Sequence, residues 1–144
     1  RGLGEASQNT KLVETSVDEI TTISGQKAVV NRSKKAIAGF KIRENQPLGV
    51  TVTLRNKYMF SFLERLIHLV LPRIRDFNGL NFSGFDEFGN YNFGFKNQSV
   101  FPEISYENIE QPRGFNITIV TTAKNKKEAF SLLKNYGLPF KKLS

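Results

Sequence analysis

The stretch that decides the fold is Gly49-Val50-Thr51-Val52-Thr53-Leu54-Arg55-Asn56, followed at once by a second segment that runs from Lys57 to Pro72. Residues 49–55 alternate. Val50, Val52 and Leu54 fall on one face, and Thr51, Thr53 and Arg55 on the other, which is the period of a half-buried strand with a polar, basic outer side. From residue 57 the period lengthens. Met59, Leu63, Leu66, Ile67 and Val70 make the apolar stripe of a core helix over 57–70, with Asn56 placed to cap it and Pro72 to close it.

Working outward, Val13, Val17 and Ile20 recur at i, i+4, i+7 and predict a helix over 11–24 that stops at Gly25. Lys27-Ala28-Val29-Val30 reads as a short strand, and a loop is expected at about 38–48. Residues 72–90 are irregular, punctuated by Pro72, Gly79, Gly84 and Gly89; a loop this long and Gly-rich is usually functional or disordered. Asp76 and Asp86 sit in it as turn-capping residues. Tyr91, Phe93 and Phe95 alternate like a strand, and residues 115–122 form a β-rich run. Asn125 and Glu128 have the spacing of a capping box, opening a helix with Ala129, Leu132, Leu133 and Tyr136 as its apolar face. Gly137 and Pro139 end it. Strands and helices mix without strict βαβ alternation. The expectation is α+β, a mostly antiparallel sheet with helices packed on one face, as a single domain over 1–144.

The chain has 144 residues, with 21 Lys+Arg against 13 Asp+Glu and a formal charge of +8. A domain of this size buries roughly 70% of its unfolded surface and needs no staples. Cysteine is absent, which excludes disulfides, thiolate nucleophiles and Cys-ligated metals. The positive excess favours a polyanionic partner, and it is unevenly spread. From Lys27 to Arg43 the cations Lys27, Arg32, Lys34, Lys35, Lys41 and Arg43 occur without a single acid; Lys124–Lys142 is also basic, while Glu103, Glu107 and Glu110 form an acidic stretch.

No catalytic constellation emerges. Gly2-Leu3-Gly4 completes neither phosphate-loop motif. The glutamates lack companions, His68 sits in the predicted core helix, and Ser33, Ser61 and Ser83 have no partner base. No enzyme activity, metal or cofactor is expected. The basic run suits a phosphate backbone. Phe40 either stacks on a splayed base or anchors its loop in the core, and Thr51 and Thr53 either meet sugars and phosphates or simply fill a solvent face. The alternative is a basic membrane-surface protein, which needs an amphipathic helix that Gly39, Pro47 and the 49–55 alternation oppose.

Several stretches resemble the large-subunit ribosomal protein L five family. They are Ile23-Ser24-Gly25-Gln26-Lys27, the run Ser33-Lys34-Lys35-Ala36-Ile37-Ala38-Gly39-Phe40-Lys41-Ile42-Arg43, Val52-Thr53-Leu54-Arg55, the segment Pro72 to Leu80, Phe85-Asp86, Gly89-Asn90-Tyr91, Phe101-Pro102-Glu103-Ile104, and Thr121-Thr122-Ala123-Lys124 through Leu138-Pro139-Phe140. The resemblance covers nearly the whole chain in order. It implies a non-catalytic α+β constituent of the large ribosomal subunit that binds 5S rRNA and large-subunit rRNA. It further implies contact with the elbow of the P-site tRNA and an intersubunit bridge to a small-subunit head protein, with no membrane. By motif, Gln26, Lys27, Lys34, Lys35, Thr51, Thr53 and Arg55 would face 5S rRNA. Ala38, Gly39, Phe40, Lys41 and Arg43 would form the tRNA-reaching loop, and Arg73, Arg75, Asp76 and Asn78 would lie at the bridge. The opening Arg1–Ser7 resembles the cyanobacterial and plastid branch, so a plastid (chloroplast) ribosome is expected, with bacterial cytoplasm or mitochondrion as alternatives. The family also carries a helix and a strand ahead of the position of Arg1. Glu87 and Phe88 depart from its usual Gly and basic residue.

Overall fold

Val50 is fully buried, and the first half of the molecule is arranged around it. A computed structural model describes residues 1–3, 10–32, 47–74, 79–96, 101, 104 and 114–140. Helix α1 spans Thr10–Ser24, strand β1 Val29–Arg32 and strand β2 Pro47–Thr51. The strands pair antiparallel with Val29 opposite Thr51, Val30 opposite Val50 and Asn31 opposite Gly49, and a bulge falls between Asn31 and Arg32. Helix α1 packs against both strands, contributing buried Val13, Ile20 and Ile23, with Ala28 beside them in the core. Its threonines are poor helix formers, yet Thr15 and Thr22 donate back to the carbonyls of Lys11 and Asp18 at 2.9 and 2.8 Å, which satisfies their hydroxyls without leaving the helix.

Residues 1–3 run along the other edge of β2. The Val50 N–H donates to the Arg1 carbonyl at 2.8 Å and the Leu3 N–H to the Leu48 carbonyl at 3.0 Å. Gly49 permits this approach, because a Cβ there would lie 2.9 Å from the Arg1 oxygen. The Arg1 guanidinium reaches Glu19 at 2.7 Å, with both side chains largely buried. Ser16 Oγ accepts a second contact from it at 3.3 Å.

By contacts the chain forms two compact units, Arg1–Phe62 with Phe101–Ile109, and Leu63–Val100 with Glu110–Ser144. In the second, β3 (Tyr91–Phe95) pairs antiparallel with β4 (Phe115–Ile119), Tyr91 opposite Ile119 and Phe95 opposite Phe115. Helix α3 spans Lys126–Tyr136. Aromatic rings fill this unit. Phe85 lies 4.5 Å from Tyr91, 5.4 Å from Phe82 and 5.5 Å from Phe140, centroid to centroid, and Phe130 touches Phe140 at 5.1 Å. Tyr91 is nearly fully buried and its hydroxyl donates to the Asn81 carbonyl at 2.7 Å; burial pushes its pKa up to about 12.

The turn before β3 is held by Asp86. Its Oδ1 accepts the N–H groups of Asn90 at 2.8 Å and Phe88 at 2.9 Å. Gly89 closes it at φ 86°, where a Cβ would meet the Ala123 carbonyl. The backbone N–H of Asn90 is the largest of the contacts that hold the Asp86 carboxyl below the usual carboxylate range.

The α+β architecture with antiparallel pairing is as the sequence implies, while particular elements differ. The strands make two separate two-stranded sheets. The ladder of β2 ends at Thr51, although burial keeps alternating through Arg55. The helix expected over 57–70 is α2 only over Asn56–Arg65; Leu66–Val70 is a π-helical turn and Leu71–Arg73 a 3₁₀ turn. Pro72 explains the change. It has no N–H to give and its ring crowds the preceding turn, and the Leu71 N–H slips one residue to the Leu66 carbonyl. Asn56 begins α2 at φ 55°, a conformation Asn tolerates better than most residues. In α3 the buried face is Ala129 and Leu133, whereas Leu132 and Tyr136 are 47% and 44% exposed.

Replacing Phe85 by Ala removes the ring that meets Phe82, Tyr91, Phe130 and Phe140, and should lower stability by about 3–5 kcal/mol. Urea unfolding measures it, and a loss under about 1 kcal/mol would contradict the packing described. Because the folded pKa of Asp86 is depressed, its stabilising contribution is present above the unfolded value of about 3.9 and disappears as pH falls through the lower folded value. Asp86→Asn should therefore flatten the acid limb of a melting-temperature profile, and an unaltered limb would refute this.

Candidate nucleic-acid interface

The segment Ile23–Lys27 explains itself physically. Ile23 is buried and ends α1 against the core. Gly25, at φ 79°, supplies the left-handed residue that stops the helix, with its N–H on the Thr21 carbonyl at 2.9 Å. Ser24 brackets Gln26 from both sides. Its hydroxyl donates to the Gln26 carbonyl at 2.9 Å and accepts the Gln26 N–H at 3.2 Å. The Thr21 hydroxyl then takes the Ala28 N–H at 3.0 Å. So fixed, the Gln26 amide reaches across the hairpin to the Thr53 carbonyl at 2.9 Å.

The β1–β2 register does the rest. Val29 lies opposite Thr51, and side chains two apart share a face. Val29 and Asn31 therefore stand on the same side as Thr51; Lys27, Thr53 and Arg55, just beyond the ladder, keep the same alternation, and all six are exposed. The Asn31 amide donates to Thr51 Oγ1 at 3.1 Å. Val50 and Ala28, on the opposite side, are buried. The result is an outward strip of hydroxyls and amides with cations at Lys27 and Arg55. Its own residues include no acid. Neither cation has a carboxylate partner among the described residues. The acidic residues Glu14, Asp18 and Glu19 belong to α1, which packs on the strands.

The structure thus leaves Lys27, Thr51, Thr53 and Arg55 exposed along this side, while Gln26, half-buried and two residues from buried Ala28, joins them only through its amide bond to the Thr53 carbonyl. Arg73 is exposed in the second unit, at the end of its 3₁₀ turn. Lys34, Lys35, the loop Ala38–Arg43, and Arg75, Asp76 and Asn78 lie outside the described residues. Val29 and Asn31 were not singled out from the sequence. Their period-two spacing from Lys27 is legible there, but only the strand register assigns that spacing to the outer face. Among the described residues no group of His, Cys, Asp and Glu could hold a metal, and no helix is long and apolar enough to cross a membrane.

Residues 1–43 match the family described as "Ribosomal protein L5", and residues 47–140 match the C-terminal part of the same ribosomal family. The chain belongs to the ribosomal protein L5 family. A "Large ribosomal subunit protein uL5c" of Heterosigma akashiwo is 68% identical over 142 residues, which cover 99% of this chain and 78% of that protein. One of the same name from Cyanophora paradoxa is 61% identical, covering 97% and 77%. "Large ribosomal subunit protein uL5" of Trichodesmium erythraeum is 60% identical, covering 98% and 78%. Membership in the L5 family makes the chain a structural, non-catalytic ribosomal protein of the large subunit. Its relatives of the uL5c type place it in the plastid ribosome.

Gln26→Ala removes the tie between the α1–β1 turn and Thr53 while leaving the core untouched. It should cost about 1 kcal/mol of stability, measured by chemical denaturation, and loosen the outer face. A denaturation curve identical to wild type would show that the amide bridge is not formed in solution.

Proposed function

We propose that the outer face of β1–β2 is where this L5 chain holds 5S rRNA, with Gln26, Lys27, Thr51, Thr53 and Arg55 in contact and Lys34 and Lys35 adding to the grip on phosphates. The observation that carries this is the register that turns a hydroxyl-and-amide strip outward, beside cations and without an acid. Hydroxyls and amides suit ribose and phosphate oxygens, and Lys and Arg neutralise the backbone and release its counterions. Such recognition works by shape and charge and needs no catalytic group. Val29 and Asn31, in the middle of the strip, join the contact.

Two further contacts belong to the same reading and rest on sequence resemblance. The loop Ala38–Arg43, with Phe40, Lys41 and Arg43, meets the elbow of the P-site tRNA. The segment containing Arg73, Arg75, Asp76 and Asn78 takes part in the bridge to a small-subunit head protein. Contact with large-subunit rRNA accompanies them.

Filter-binding titration of the full chain with 5S rRNA tests the proposal. Affinity should fall steeply as salt rises, by about 0.9 logarithmic units of binding constant per logarithmic unit of salt for each neutralised phosphate. Thr53→Leu should weaken binding about tenfold and Arg55→Ala should lower the slope by roughly 1. A salt-independent affinity, or unchanged binding by both variants, would refute the assignment. Deleting Ala38–Arg43 should spare 5S rRNA binding and impair tRNA handling in a reconstituted ribosome; loss of 5S rRNA binding would overturn this division of roles.

A further inference from the structure

The lysines of α3 belong to none of the contacts above. Lys124, Lys126, Lys127 and Lys134 are all exposed. Lys127, Ser131 and Lys134 recur at i, i+4, i+7 and so share one face of the helix. The buried residues Ala129 and Leu133 fall on the roughly opposite side. Lys124, ahead of the helix, and Lys126, its first residue, add charge at the helix start but lie off that face.

Two features separate this stripe from an ordinary solvated helix face. A helix that needs only solubility intersperses acids at i±3 or i±4 from its lysines. Here none of Lys126, Lys127 and Lys134 has an acid at those positions, whereas Lys124, ahead of the helix, has Glu128 at i+4; none of the four pairs with a carboxylate among the described residues. Lys134 instead lies over the Phe130 ring, 5.7 Å from its centroid. The second feature is placement. Lys126 and Lys127 occupy the first turn, where the positive end of the helix dipole disfavours cations. The one first-turn acid, Glu128, is spent on the backbone. Its carboxylate accepts the Lys124 N–H at 2.9 Å, while its own N–H donates to Asn125 Oδ1 at 2.9 Å. The helix is thus capped locally, and no carboxylate among the described residues pairs with its lysines. A local rule broken in this way marks a surface whose compensation comes from outside.

We propose that the Lys127–Ser131–Lys134 stripe, with Lys124 and Lys126, is a second RNA contact that binds the phosphate backbone of duplex RNA. Two exposed lysines two turns apart on one helix face, with further cations at the helix start, are complementary to a row of phosphates, and a ribosomal protein is surrounded by them. The inference is independent of the β1–β2 face, since it uses other residues in the other unit.

The test is titration of the full chain with a mixed-sequence RNA duplex of about 20 base pairs over a range of salt. The double variant Lys127→Gln, Lys134→Gln is compared with a control, Lys11→Gln, Lys96→Gln, that removes equal charge elsewhere. The stripe variant should bind about tenfold more weakly, with its salt slope reduced by roughly 2, while the control keeps the wild-type slope. Equal effects of the two pairs, or none, would overturn the assignment. So would unchanged RNA binding together with lost binding to phosphatidylserine-containing vesicles, which would make the stripe a membrane contact. Thr53→Leu, which tests the other face, should leave this difference between the pairs intact.

Discussion

The register of β1 against β2 is the constraint on which the candidate interface depends. With Val30 opposite Val50 and Val29 opposite Thr51, the aliphatic side chain that α1 covers and the polar ones that solvent covers are sorted to opposite faces. A slip of one residue would exchange them, burying Asn31 and Thr51 and exposing Val50. Burying unpaired amide and hydroxyl groups costs roughly 1–3 kcal/mol each, and exposing Val50 loses about another 1.5–3 kcal/mol, so the observed pairing wins by several kcal/mol. Gly49 then lets residues 1–3 lie against the remaining edge of β2, which pins the strand on both sides. The outward strip is in this sense a by-product of the inward one.

The second unit reaches order by other means. Its centre is a set of rings around Phe85 and Tyr91, and its loops are tied by short polar contacts. The Leu80 N–H donates to the Pro139 carbonyl at 2.8 Å, and Asn90 Oδ1 takes the Thr121 N–H at 3.2 Å. Aromatic contacts tolerate several ring geometries, whereas hydrogen bonds do not, so the rings supply cohesion and the Asp86 turn and chain-end contacts supply definition. The long irregular stretch before β3 is thereby a structured connection, at least over the described residues 79–90.

Local signals were the ones legible in the sequence. The Asn125 and Glu128 spacing predicts the cap that forms, Gly137 ends α3 at φ 121°, and the alternation at 49–55 names buried Val50 and exposed Thr51, Thr53 and Arg55, while Val52 and Leu54 are half-buried past the end of the ladder. Asp86 is the turn-holding residue its Gly-rich surroundings imply. What escaped the sequence depended on partners far along the chain or on competition between neighbours. Gln26 and Thr53 lie 27 residues apart, so no spacing rule joins them. The π-helical turn at 66–70 arises because apolar periodicity favours a continuous helix while Pro72 withholds a donor. Leu132 and Tyr136 look like core residues by helical spacing, but the surface that α3 meets is filled by Ala129 and Leu133. The family resemblance supplied what physics alone left open, since charge and alternation point to a polyanion without saying which.

The chain is an L5-family protein whose hairpin register turns a polar, acid-free face outward, and we assign that face to RNA. Val29 sits in the middle of it and is 62% exposed, so a photo-crosslinking residue can replace it without disturbing the core. Irradiation of assembled ribosomes carrying that substitution tests the central claim most directly. The expected result is a crosslink to ribosomal RNA, falling within 5S rRNA. A crosslink only to a neighbouring protein, or none in fully assembled particles, would contradict it.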